Sequence, residues 1–101
     1  MSKVILRVRP VETMEDIDLD LIQERMKDLV DWQPELQDTR LSDAPYVTVI
    51  VLIPTIDAKA VMRLKAAFGH LRRMRIWLWQ RIGVEVPLDA VDVAVLSQTA
   101  N

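Results

Sequence analysis

Val4, Leu6 and Val8 alternate with Ile5, Arg7 and Arg9. This period of two predicts a β-strand, ended by Pro10. Met14, Ile17, Leu21, Ile22, Met26, Leu29 and Val30 then recur in steps of three and four. They predict one helix from about Thr13 to Trp32, before Pro34, with Thr13 and Asp16 at capping-box spacing. Residues 35–41, ELQDTRL, predict a short polar edge strand, and SDAP at 42–45 is turn chemistry. YVTVIVLIP at 46–54 is dense in β-branched residues and nearly uncharged, which predicts a central strand. Asp57 is placed to cap a second helix. Its apolar stripe runs through Val61, Leu64, Phe68, Leu71, Met74, Leu78 and Ile82 to a stop at Gly83. As one helix, residues 57–83 would be roughly 37 Å long; the alternative is a break near Gly69 or Arg75, with the tail carrying Trp77 and Trp79 folded back over the sheet as core. After VEVPLD, the segment AVDVAVLSQ predicts a last strand with Val91, Val93 and Val95 on one face.

The element order is therefore β-α-(β)-β-α-β in a single domain, residues 1–101. It implies an α+β, ferredoxin-like split β-α-β sandwich with both helices on one face of a mostly antiparallel sheet, the second helix extended. A three-stranded parallel variant follows if 35–41 is only loop. Val47, Val49, Val51 and Ile53 are expected to face the helices. Ile50 and Leu52, joined by Ile5 and Leu96, are expected on the far face.

Half of the residues are apolar and 28% are charged, as in ordinary globular proteins. The absence of cysteine excludes thiolate metal sites, thiol nucleophiles and disulfides. The N-terminal stretch MSKVILRVRP lacks the form of a signal peptide, and no window approaches the ~20 apolar residues of a membrane helix. The expected location is the cytoplasm. The net charge of −2 hides an asymmetry. Residues 1–56 carry six basic and eleven acidic side chains, and residues 57–101 carry seven and four. The first helix would present an acidic outer face and the second a basic one, so pairing between them accounts for the asymmetry without any partner.

Candidate chemistry is sparse. His70 is the only histidine, and Ser2, Ser42 and Ser97 occupy no recognisable nucleophile turn. The acidic string Asp16, Asp18, Asp20 fails as a calcium loop, with Leu21 where glycine is needed and Lys27 in place of the bidentate glutamate. No catalytic residue, metal or cofactor is expected. The leading expectation is a non-catalytic interaction module that self-associates, most simply as a homodimer, or docks on a protein partner. Met74, Ile76, Trp77, Leu78, Trp79 and Ile82 carry its apolar excess, and Trp and Arg together have the composition of an interface hot spot. The alternative is nucleic-acid binding through Arg63, Lys65, Arg72, Arg73, Arg75 and Arg81 on the second helix, with Trp77 and Trp79 stacking on bases. A sequence pI near 5.3 opposes it, as does a sheet on which Tyr46 is the sole aromatic expected.

VILRVRPVETMEDIDLDLIQERMKD at 4–28 and VDVAVLSQ at 91–98 resemble the first strand, proline turn, acidic helix and last strand of the guanine-exchange domain of the elongation factor 1-beta family. The resemblance covers about a third of the chain and implies the same ferredoxin-like fold. SDAPYVTVIV stands in place of that family's aromatic- and glycine-containing segment, and the arginine-rich stretch is foreign to it. The resemblance therefore carries no functional residue across.

Overall fold

The computed structural model describes residues 2–39, 45–69, 71–81 and 84–100. Its centre is β1 (Ser2–Pro10), which is hydrogen-bonded on both sides. β3 (Val47–Ile53) pairs with it on one side and β4 (Met74–Arg81) on the other, both antiparallel. β2 (Glu35–Gln37) lies outside β3, and β5 (Val84–Pro87) outside β4, giving the order β2-β3-β1-β4-β5. The molecule is thus α+β, with one five-stranded antiparallel sheet.

The register sorts the side chains into two sets. Leu6 lies between Val49 and Leu78, and Val8 between Val47 and Ile76. These residues are buried under α1 (Leu19–Met26), α2 (Ala58–Phe68) and α3 (Val93–Ala100), together with Ile22, Leu64, Phe68 and Leu96. Helix α2 contacts both α1 and α3, so the three helices form one layer on one side of the sheet.

Three expectations are corrected. The helix expected over 57–83 ends at Phe68. Asp57 caps it as expected, its carboxylate accepting from Ala60 N at 2.9 Å. Gly69 closes it, its N–H donating to the Lys65 carbonyl at 2.7 Å. A Cβ on residue 69 would stand 2.5 Å from that oxygen, so a larger residue would force the exit of the helix to shift. Arg73 then takes a left-handed conformation, φ 63°, and turns the chain into β4. The helical stripe through Met74 and Leu78 is also one face of a strand, since Met74, Ile76 and Leu78 alternate with Arg75, Trp77 and Trp79. Once the helix has closed, the period of two prevails. Gly83 and Ile82 lie outside the described residues, as do His70, the side chain of Arg81 and most of the expected 42–45 turn.

The second correction is at the C-terminal end. Residues 91–98 form no strand; Val93–Ala100 is α3, with Asp92 accepting from Val95 N at 3.0 Å. Leu96, expected on the far face, is fully buried among the helices. Val91 and Val93 do alternate with Asp92, but the strand places beside β1 are taken by β3 and β4, and an aspartate N-cap starts a helix instead.

The expected first helix is broken into a 3-10 turn at Met14–Asp16, α1, and a second 3-10 segment at Lys27–Trp32. Asp16 holds the entry. Its Oδ2 accepts from the backbone N–H of Thr13 and Glu12 at 3.1 and 3.2 Å, and its Oδ1 meets Arg73 at 2.8 Å. Charge pairing across the two halves is thereby observed for Arg73. A second pair joins Arg63 of α2 to Asp31, with the Arg63 guanidinium also stacked on Trp32, 4.2 Å from the ring centre.

Leu6→Ala should lower unfolding stability by about 3 kcal/mol in urea titration, because the cavity opens between Val49 and Leu78. Lys3→Ala, exposed on the same strand, should stay within about 0.5 kcal/mol. The two backbone donors and Arg73 hold the Asp16 carboxyl below its ordinary value of 3.8. Its contribution is therefore full above that value and is lost as pH falls through the lower folded one. Asp16→Asn should flatten the acid limb of a Tm-against-pH curve while keeping the fold at neutral pH.

Candidate functional site

The side of the sheet away from the helices has no layer on it among the described residues. Its register makes rows. One row runs Glu35, Ile50, Ile5, Trp79, Glu85; the next runs Gln37, Thr48, Arg7, Trp77, Pro87. Arg9 faces Arg75 beyond them, and Lys3 faces Leu52 at the opposite end.

Arg7 and Arg9 organise this face. The Arg7 guanidinium lies 4.4 Å from the centre of the Tyr46 ring and 4.9 Å from that of Trp79. Arg9 lies 5.8 Å from Tyr46 and 5.7 Å from Trp77. All four distances are within cation–π range, where the ring faces attract the charge. Glu85 reaches across β4 and bridges the two arginines, one carboxylate oxygen on each, at 2.8 and 2.5 Å. The guanidinium heads themselves lie against the aromatic rings and are only partly exposed. Their Nε–H groups are buried without an acceptor. A concavity of about 370 Å³ opens among Arg7, Arg9, Trp77 and Glu85.

A second concavity, about 360 Å³, lies at the corner where β5 has ended and β4 has not. It runs from Phe68 and Leu71 past Met74, Ile76 and Trp77 to Leu88. Its wall is largely the core itself, left uncovered where Trp77 is the first β4 residue paired with β5.

The residues expected to bind a partner are thus divided by the sheet. Trp77 and Trp79 are half-buried on the open face. Met74, Ile76 and Leu78 are buried in the core, Met74 and Ile76 in the wall of the second concavity. The expected arginine helix is also divided. Arg63 is held by Asp31 and by the Asp28 carbonyl, Lys65 donates to the Asp89 carbonyl, and Arg73 pairs with Asp16. Arg72 and Arg75 are exposed and make no ion pair among the described residues, and of these two only Arg75 stands on the open face. The sequence reading missed Arg7, Arg9 and Glu85. The signal for the arginines was present, since two of them sit on the polar phase of a strand whose other phase is wholly apolar.

The described residues contain no group of three or more histidine, cysteine or acidic residues placed to hold a metal ion, and no helix long and apolar enough to cross a membrane. No family model, curated protein or solved structure matches the chain.

Glu85→Ala should lower stability by about 1–2 kcal/mol in urea titration, since it leaves two part-buried guanidiniums without their shared acceptor. Arg9→Ala should cost less, because Glu85 keeps Arg7. Equal losses would mean that the bridge contributes nothing beyond packing.

Proposed function

We propose that this protein is a small non-catalytic binding module whose working surface is the open face of the sheet. The proposed frame is a ferredoxin-like split β-α-β unit, made of the first four strands with α1 and α2 and extended by β5 and α3. The observation that carries the reading is the cluster of Arg7, Arg9, Tyr46, Trp77 and Trp79 on that face. Arginine, tryptophan and tyrosine are the residues that dominate binding energy where surfaces meet, the two aromatics offering large contact area with few torsions to freeze and arginine a planar fork of donors that stacks on rings. Ile5, Ile50 and Leu52, all half-buried, add apolar area beside them.

A second copy of the chain is one candidate occupant, favoured by that apolar band. A two-fold axis through the arginine cluster would set Arg7, Arg9 and Arg75 against their own copies, so such a dimer must place its axis nearer Leu52.

The face can be tested without knowing its occupant. The chain has no cysteine, so a single introduced thiol carries a photo-crosslinker to a defined place. Arg75→Cys puts it on the open face, and Met62→Cys puts it on the exposed side of the helical layer. Irradiation in extract of the producing cells should give adducts at position 75 and not at 62. Adducts at 62 alone, or equally at both, would overturn the assignment of the face. Adducts of twice the chain mass from purified protein would assign the occupant as a second copy.

A further inference from the structure

Resting on that reading of the open face, we infer that its occupant is a single-stranded nucleic acid, with bases stacked at Trp77 and Tyr46 and phosphates held by Arg7, Arg9 and Arg75. Charge is the first argument. Lys3, Arg7, Arg9 and Arg75 stand on the open face against Glu35 at one edge and Glu85 at the other. The acids that make the chain acidic overall lie elsewhere. Glu15, Asp18, Asp20, Glu24, Asp28 and Asp31 are exposed on the first helical segments, on the opposite side. A polyanion approaching the protein is repelled from the helical layer and admitted at the sheet. The low pI thus orients such a ligand rather than excluding it.

The second argument is the mixture of groups. Here guanidiniums lie 4.4–5.8 Å from ring centres, so flat cations and flat aromatic faces are interleaved. Bases stack on both, and the phosphates between bases need donors at the same spacing. The concavity of about 370 Å³ falls where Trp77, Arg7 and Arg9 meet. It lies in the range of ~300–1,000 Å³ typical of small-ligand sites. A duplex hides its base faces and gains nothing from the rings, which selects a single strand.

Glu85 then acts as an internal competitor. Its carboxylate occupies the arginine donors that a phosphate would take, at 2.8 and 2.5 Å. Binding requires the phosphate to displace it, so the affinity of the native chain is set partly by that contest. Arg75, exposed and unpaired among the described residues, is where contact begins without displacement.

The test titrates purified protein with oligo(dT), oligo(rU) and heparin, following tryptophan fluorescence. Trp32, covered by Arg63, supplies a constant background. Both oligonucleotides should quench the emission, and heparin, which has charge but no bases, should displace them without quenching. A preference between oligo(dT) and oligo(rU) would assign DNA or RNA. The salt dependence should have a slope of about −2 to −3, as expected for three or four phosphates on single strands. Arg75→Glu should weaken binding by roughly tenfold, the scale of a reversed phosphate contact. Glu85→Gln should strengthen it, and Arg72→Glu, off the open face, should leave it unchanged. Circular dichroism confirms that each variant is folded. Absence of quenching at low salt, or equal weakening by Arg72→Glu and Arg75→Glu, would overturn the inference. Adducts at position 75 whose added mass survives nuclease would also overturn it while leaving the open face as the working surface. Failure of both readings would instead show as no adduct at 75.

Discussion

The pairing of β1 on both edges is the constraint on which the rest depends. A strand hydrogen-bonded on both sides must have its backbone donors and acceptors satisfied by two neighbours, and here those are β3 and β4. Its inward residues, Val4, Leu6 and Val8, are fully buried. That leaves Ile5, Arg7 and Arg9 no choice but the other side. Two arginines at the centre of a sheet are costly to strip of water. The aromatic rings of Tyr46, Trp77 and Trp79 and the carboxylate of Glu85 make the position tolerable. The open face and the core are therefore two outcomes of one alternating strand.

The same reasoning accounts for where β5 sits. Without it, β4 would be an edge strand rich in tryptophan, open to pairing with another chain. β5 covers β4 from Trp77 to Arg81 and brings Glu85 within reach of β1. The short strand thus protects the edge and supplies the counter-charge. It stops at Pro87, which has no N–H to continue the ladder.

The legible parts of the fold were those with one dominant period. The alternation in β1 and the β-branched run in β3 placed both strands and assigned their faces, down to Ile5, Ile50 and Leu52 on the open side. Asp57 and the stripe through Val61, Leu64 and Phe68 placed α2. The segment 74–81 was not legible, because Met74 and Leu78 satisfy spacings of both two and four. Only the closure at Gly69 and the left-handed turn at Arg73 decide between them, and both depend on tertiary context. The run at 91–98 failed for a related reason. Alternating valines fit a strand in isolation, but a sheet already paired on both sides of β1 leaves the segment to pack as a helix over β1 and β4. The candidate site inherited both errors. With Trp77 and Trp79 read as helical, the sheet was left with Tyr46 alone, and its two arginines looked like ordinary surface residues.

Charge distribution follows from this arrangement rather than from the two halves of the sequence. Arg63 and Arg73, both from the basic half, are spent on fixing the acidic half in place, through Asp31 and Asp16. The Arg63–Asp31 pair is exposed and adds little stability, whereas Arg73 pairs with a carboxylate that is itself buried. The effect of the two pairs is to select which acids remain free. The exposed acids of the first helical segments lie on the side away from the sheet's open face, and that face carries two exposed cations that make no ion pair among the described residues, Arg75 and Lys3. A chain with a net charge of −2 thereby presents one cationic face, rigid because its arginines are carried on strands and braced by rings and a shared carboxylate. A surface pre-formed in this way loses little side-chain entropy when something binds, which is the condition under which a small face can bind specifically.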